Sequence, residues 1–387
     1  MNVAIITDSF PPMMDGVSRC AVEFANAYHA GGFGRCAVIT PKAQKEQYSF
    51  AYPVYAYNSV PLPYSHYRFG YPFMPELLSR LRKMKVDIIH SHSPFMAMSI
   101  ARSLRKHLDA PVVFTQHTKW NYDIKKGVPT TLLQNLFLRK IYSNIQKADD
   151  VWAVSRGAGE YLLDNGYTGD YKVVLNGTDF PKGKADFSSV KHVSQQFDLP
   201  ENVPVLLFVG RMMWYKGIKL IIESLETLYR DGFNFRMIFV GDGEDLTDIK
   251  QMISTKGLTH VIHCAGRITD REILRAYYTR ADLFVFPSVY DTAGLVVSEA
   301  AACSCPSLVV RGSAAAEVIE HNTSGFLSGK TTQSIANTIK AALSNPTHLK
   351  AVGATAADKI YLSWNDNVEK SVILYERLLK QWNSYKT

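Results

Sequence analysis

The sequence predicts an α/β protein made of two doubly wound domains in series, and three observations carry that prediction. The chain has 387 residues, more than one hydrophobic core usually serves, so two domains of roughly 200 residues are expected. Short runs rich in Val and Ile alternate with longer stretches of helical period, the pattern of a parallel sheet with crossover helices. The alternation lapses once, between NGTDF (residues 176–180) and VPVLLFVG, in a polar stretch with Pro181, Gly183, Pro200 and Pro204. A domain boundary belongs in such a stretch, and residues 1–182 and 183–363 are read as the two domains.

The elements follow in order. VAIIT reads as the opening strand, Val17 to His29 as a helix and CAVIT as the next strand; VDIIHSH, Phe95 to His107 and PVVFTQH repeat the unit. After residue 200, VPVLLFVG, RMIFVGDG, THVIHCAG, ADLFVFPS and PSLVV each precede a helical segment. Near the end, WNDNVEKSVILYERLLKQW has apolar residues at helical spacing and Asn and Asp suited to a cap. Its periodicity gives a helix over 364–387 but not the helix's destination.

Composition narrows the class. Hydrophobic residues make up 47% and charged residues 20%, which is globular and excludes disorder. Cys20, Cys36, Cys264, Cys303 and Cys305 are odd in number and form no paired CxxC knuckles, so neither a disulfide framework nor a zinc site is expected. The start has no basic n-region, and no stretch reaches the roughly 20 apolar residues of a membrane span. The expectation is a cytoplasmic protein, or one held peripherally on the inner face of the cell membrane. The net charge of +8 is uneven, because residues 61–147 carry 14 Lys and Arg against 4 Asp and Glu. Such an excess suits lipid headgroups, nucleic acid or a phosphorylated substrate. A single run such as Arg80, Arg82, Lys83 and Lys85 reads more simply as a solvated helix face.

Ligands of open parallel sheets bind at the carboxyl ends of the strands, and four loops lie there. PPMMDG, residues 11–16, lacks GxGxxG, which argues against a dinucleotide fingerprint; Gly16 before a helix lets backbone N–H groups approach a phosphate or sugar, or is a plain turn glycine. TQHT, residues 115–118, places His117 where a substrate would lie, as a hydrogen-bonding imidazole or a structural one; His90 and His92 are similarly placed. GRMMWYKG, residues 210–217, offers Arg211 and Lys216 as fixed cations for a diphosphate, or as surface charges. SVYDTAGLVVSEAAACSCP, residues 288–306, sets Asp291 and Glu299 eight residues apart around a helix starting near Gly294. Its free N–H groups suit a phosphate, and its carboxylates suit vicinal hydroxyls.

Taken together these residues resemble the family 4 retaining glycosyltransferases of the GT-B fold. The resemblance spans nearly the whole chain: DSFPPMMDGV, DIIHSHSPF, VVFTQHT, AVSRGAGEYL, VLNGTDF, FVGRMMWYKG, FVGDGED, ADLFVFPS, DTAGLVVSEA and GSAAAEVIEHNTSGFL stand in family order. It implies two Rossmann-like domains facing across a cleft that closes on binding, with the last helix crossing back to the N-terminal, acceptor-binding domain. The family's Glu-x7-Glu pair corresponds to Asp291 and Glu299. By the resemblance, Glu299 holds ribose hydroxyls, Asp291 touches the donor hexose, and N–H groups around Ala293, Gly294, Leu295 and Val296 bind phosphate. Arg211 and Lys216 stabilise the diphosphate, Gly16 lies against the donor, His117 sits by the transferred sugar, and Arg267 and Ile268 flank the base. This sequence departs from the family at Asp291, one methylene shorter than Glu, at Ser304 in a usual glycine position, and at Asp15 in place of a first-loop glycine.

The resemblance implies transfer of a hexose with retention from a nucleotide-diphosphate donor, without a cofactor or a required metal, giving an α-linkage; UDP-glucose is the donor it favours. Nucleic acid is not among the partners so implied. PLPYSHYRFGYPFM, the Trp120 to Asp123 segment and TLLQNLFLRKIY resemble bacterial members that glycosylate diacylglycerol, and residues 61–147 would then meet an anionic membrane surface. Alternatively, Leu132, Leu133, Leu136 and Phe137 are simply core. Other readings are a soluble glycosyltransferase acting on a polysaccharide or small molecule, a nucleotide-sugar epimerase, and a non-catalytic sugar-nucleotide or membrane-binding protein.

Overall fold

The computed structural model describes residues 1–11, 15–42, 49–61, 68–70, 75–120, 124 and 130–384. The chain divides into two compact units, residues 1–176 with 364–387, and residues 177–363. Each has its own hydrophobic core.

In the first unit, strands β1 (Val3–Ile6), β2 (Cys36–Pro41), β3 (Val54–Tyr57), β6 (Ile88–Ser91), β7 (Val112–Gln116), β8 (Asp150–Ala153) and β9 (Lys172–Val173) form a parallel sheet. Its order is β3-β2-β1-β6-β7-β8-β9. β4 (Ser59–Pro61) and β5 (Arg68–Gly70) make a separate antiparallel ribbon, which the sequence reading did not contain. All four residues of β1 are buried, the consequence of a strand covered on both faces by helices. The helix Gly16–Ala30 begins where the Asp15 carboxylate accepts from the Ser18 N–H at 2.7 Å. Asp15 is thus an N-cap.

In the second unit, β10 (Val205–Val209), β11 (Arg236–Val240), β12 (Ile262–Gly266), β13 (Leu283–Phe286), β14 (Ser307–Val310) and β15 (Phe326–Ser328) are ordered β12-β11-β10-β13-β14-β15. All the pairings are parallel. Both sheets reverse direction of growth once, between β1 and β6 and between β10 and β13. Open α/β sheets bind ligands outside the carboxyl ends of the strands at such a reversal.

The final helix, Trp364–Ser384, belongs to the first unit. Tyr375 is fully buried there, its ring stacked on Trp152 with centroids 5.2 Å apart and its hydroxyl 2.5 Å from His90 Nδ1. Asn367 Nδ2 donates to the Leu175 carbonyl at 2.6 Å. The boundary expected at 182/183 falls instead at 176/177. Thr178 pairs with Ser363 and donates its N–H to the Leu362 carbonyl at 2.8 Å, and Phe180 enters the second core. Ser304 sits at φ 56°, a left-handed conformation that favours glycine, the residue the family resemblance leads one to expect there. No described helix is long and apolar enough to cross a membrane.

Candidate active site

The second unit assembles its polar residues on the loops after β10 and β13, on either side of the sheet reversal. After β10, a short 3-10 turn, Trp214–Lys216, ends at Gly217 with φ 80°. A side chain there would be strained, and its Cβ would lie 2.9 Å from Pro287 Cγ and 3.0 Å from the Pro287 carbonyl oxygen. Glycine therefore lets the β10 loop lie directly against the β13 loop. The result is an ion pair: Lys216, only 9% exposed, donates from Nζ to Asp291 Oδ1. Lys216 Nζ also lies 5.5 Å from the Tyr215 ring centroid and 5.9 Å from that of Phe286.

The other oxygen of Asp291, Oδ2, is buried with no hydrogen-bond partner among the described residues, as are the hydroxyls of Ser288, Ser298 and Ser313. Buried polar atoms are paired in the great majority of cases, so four orphans along the carboxyl ends of β13 and β14 mark a place where polar ligand atoms fit. The helix Leu295–Ala302 starts there from Gly294, whose φ is 58° and whose Cβ would meet Ala315 Cα at 3.1 Å. No side chain caps it. Its first N–H groups and positive dipole end suit an anion.

Glu299 lies inside this helix and is buried. Its Oε1 accepts from Arg271 at 2.7 Å and its Oε2 from the Tyr278 hydroxyl at 3.0 Å. Arg271 also donates bidentately to Asp179, at 2.8 and 2.6 Å. Burial and the nearby Glu299 carboxylate hold the Tyr278 phenol well above its ordinary range, so it stays a donor.

Of the residues expected in this unit, the fold joins Lys216 to Asp291 and places Ala293, Gly294, Leu295, Val296 and Glu299 on the same loop and helix. Arg211 is exposed, forms no ion pair among the described residues, and lies 5.8 Å from the Tyr215 ring centroid. Arg267, exposed, and Ile268, half-buried against the second core, follow β12. Asp179, Arg271 and Tyr278 escaped the sequence reading. They are separated from Glu299 along the chain, and no spacing signal joins them.

In the first unit, His117 follows β7 and is buried, with its Nε2 2.9 Å from His92 Nδ1 and the two rings stacked at 5.1 Å. His90 Nε2 lies 2.7 Å from Thr115 Oγ1. Burial pushes His90 and His117 down to about 3 and His92 well below its usual value. All three imidazoles are therefore neutral near pH 7 and act as hydrogen-bonding groups. Gly16 is exposed at the start of its helix, and among the described residues nothing lies within 4 Å of where a Cβ would stand. The rest of the first loop, residues 12–14, lies outside the described residues, as do 62–67, 71–74 and 121–123 of the aromatic acceptor segments.

Asp8, just beyond β1, was also missed. It is buried; Oδ1 accepts from the Ala97 N–H at 2.8 Å and from Tyr57 Oη at 3.4 Å, while Oδ2 has no partner among the described residues. Burial raises its carboxyl to about 7. A carboxyl raised on folding binds its proton more tightly in the native state, so stability falls as pH rises from the usual carboxylate range to about 7. The Asp8→Asn variant lacks this proton. Its stability relative to wild type should increase between pH 5 and pH 7, with a slope of at most about 1.4 kcal/mol per pH unit, and level off above. Chemical denaturation at pH 5, 6, 7 and 8 reads this; a pH-independent difference contradicts it.

The helix Thr131–Ile145 separates two readings of its apolar residues. Leu132, Leu133, Leu136 and Phe137 are not core: they are 71%, 50%, 51% and 43% exposed, and they share one helix face at i, i+1, i+4 and i+5. Arg139 and Lys140 on the same helix are exposed. Among the described residues no group of three or more His, Cys, Asp or Glu is arranged to hold a metal ion.

The model of Glycosyltransferase Family 4 matches residues 14–180, and that of Glycosyl transferases group 1 matches residues 190–359. An alpha-monoglucosyldiacylglycerol synthase of Acholeplasma laidlawii is 22% identical over 406 residues, covering 96% of this chain and 99% of that protein. Anabaena HepE, solved in complex with UDP and glucose, superposes with a TM-score of 0.74 at 18% identity, covering 97% of this chain and 100% of that one. Sucrose-phosphate synthase from Thermosynechococcus elongatus superposes with a TM-score of 0.77 at 20% identity, covering 98% and 99%. These structural likenesses establish the fold.

Proposed function

The chain belongs to the family 4 glycosyltransferases, and from that premise we propose that it moves a hexose from a nucleotide-diphosphate donor, UDP-glucose in this reading, to a hydroxyl of a membrane glycolipid precursor such as diacylglycerol. The observation that carries the donor half is the ion pair of buried Lys216 with half-buried Asp291 beside the helix start at Gly294, with buried Glu299 on that same helix. An ammonium has three donors, so Lys216 can keep Asp291 and take a phosphate oxygen. Negative charge that develops on the leaving diphosphate meets Lys216, Arg211 and the N–H groups from Ala293 to Val296, which is electrostatic stabilisation at the place it is needed. No metal is needed for that charge.

Glu299 accepts from the ribose hydroxyls, Asp291 from the hexose, and Arg267 and Ile268 flank the base. In the first unit, neutral His117 hydrogen-bonds the transferred sugar and Gly16 allows close backbone approach. The bond from the anomeric carbon to the diphosphate breaks as the bond to the acceptor oxygen forms on the same face. The acceptor's proton passes to the leaving phosphate oxygen. The configuration is retained, and the product is α-linked.

The acceptor half rests on the exposed face of Leu132, Leu133, Leu136 and Phe137, flanked by Arg139 and Lys140 within a stretch of strong positive charge. An amphipathic helix with an apolar face and Lys/Arg at its border lies at an anionic lipid surface, which puts the protein peripherally on a membrane. The A. laidlawii relative named above is a diacylglycerol-glycolipid synthase by its name, and its match covers nearly the whole chain. The experiment is transfer from UDP-glucose to diacylglycerol in vesicles, with the product's anomeric proton read by NMR, with and without EDTA. An α-anomer formed equally in both supports the reading; a β-anomer or loss of product with EDTA contradicts it.

A further inference from the structure

The Asp179, Arg271, Glu299 and Tyr278 network is more than the recognition of a ribose requires. Arg271 is the first residue of the helix Arg271–Arg280, which starts where Asp270 accepts from the N–H groups of Glu272 and Ile273. From there its guanidinium lies 4.1 Å from the Phe180 ring centroid and is gripped by both oxygens of Asp179. Its Nη2 is shared between Asp179 at 2.6 Å and Glu299 at 2.7 Å. Stacking and bidentate pairing fix the guanidinium plane. Tyr278 then holds the opposite oxygen of Glu299.

Two donors on different oxygens set both the position and the plane of a carboxylate, which a single contact leaves free to turn. The charges matter as well. Arg271 and Glu299 alone would be neutral, whereas Asp179 returns the trio to one net negative charge, which favours hydroxyl donors over another acceptor. An ionised carboxylate offers about four acceptor directions, so the grip of Arg271 and Tyr278 is compatible with a diol donating to the same group.

We infer that Arg271, backed by Asp179, and Tyr278 are positioning residues for Glu299, and that they set the preference of the site for a ribose diol over a 2′-deoxyribose. This rests on the reading of Glu299 as the ribose ligand, and the test separates the two. Binding of UDP and GDP, each against its 2′-deoxy form, is measured by calorimetry for wild type, Arg271→Gln, Arg271→Lys and Tyr278→Phe. A hydrogen bond to a charged group implies a wild-type preference of about 10- to 100-fold for the ribonucleotide.

In Arg271→Gln the preference should collapse to within about 3-fold, because the mispositioned carboxylate loses the bond that the 2′-hydroxyl makes; the 2′-deoxy form, which has only its 3′-hydroxyl to lose there, should weaken less than the ribonucleotide. Arg271→Lys, which keeps the charge but not the planar fork, should recover part of the preference. Tyr278→Phe, which preserves shape and packing, should fall between. Equal weakening of both nucleotides with an unchanged preference would make the network merely structural and overturn the inference. Wild type that binds ribonucleotide and deoxynucleotide alike would remove Glu299 from the ribose, and binding of neither would remove the nucleotide reading; either result overturns the inference at its base.

Discussion

Replacing Lys216 with alanine is expected to lower kcat/KM for sugar transfer by about 10²- to 10³-fold, the loss typical when a preorganised charge-stabilising donor is removed. Lys216 is buried, and its Nζ is held by Asp291 on the neighbouring loop. Its position is fixed before the donor arrives, so no reorganisation is needed when the diphosphate leaves. The same burial complicates the substitution, because it leaves the half-buried Asp291 carboxylate without its ion-pair partner. Rates are therefore compared per folded protein, below the unfolding temperature of each variant. Lys216→Arg keeps the charge and should retain the fold, yet recover only part of the rate, since a planar fork does not reproduce a compact ammonium. Exposed Arg211 sits in higher dielectric, and Arg211→Ala should cost less than Lys216→Ala. An equal or greater loss at Arg211 would shift the main charge stabilisation to that residue.

The second large effect is expected on membrane binding. Leu132→Asp with Leu136→Asp removes two side chains that are 71% and 51% exposed. Burying a leucine contributes about 1.5–3 kcal/mol, and each added acid also meets anionic headgroups, so vesicle partitioning should fall by about 10²-fold or more. Thermal stability should change little, because exposed positions carry little packing. Sedimentation with phosphatidylglycerol vesicles reads the first and thermal unfolding the second. Unchanged partitioning removes this helix from the lipid contact; a large loss of stability would mean that the leucines are packed after all.

The two doubly wound domains were legible because their causes are local, whereas the GT-B assignment came from the family resemblance. Strands covered on both faces must be apolar throughout, as VAII and VLLFV are. The Lys216–Asp291 pair was half legible: both residues stood out as loop residues after strands, but their meeting depends on the adjacency of β10 and β13, which the alternation of strands and helices does not specify. The network of Asp179, Arg271 and Tyr278 around Glu299 was not legible at all. Asp179 and Arg271 are 92 residues apart, and only the fold brings them together. Exposure along Thr131–Ile145 was illegible for a different reason. Apolar residues at helical spacing look the same whether their face is covered by protein or left open. The boundary at 176/177 was missed by six residues because the strongest linker signals, Pro181 and Gly183, lie just inside the second unit.

Release of nucleotide diphosphate from a panel of UDP-, GDP- and ADP-sugars, measured with and without diacylglycerol vesicles, tests the central claim most directly. The account predicts that one donor stands out, that vesicles carrying the acceptor accelerate its turnover, and that Lys216→Ala lowers the response by about 10²- to 10³-fold. No release from any donor under either condition, by protein shown to be folded, would contradict it.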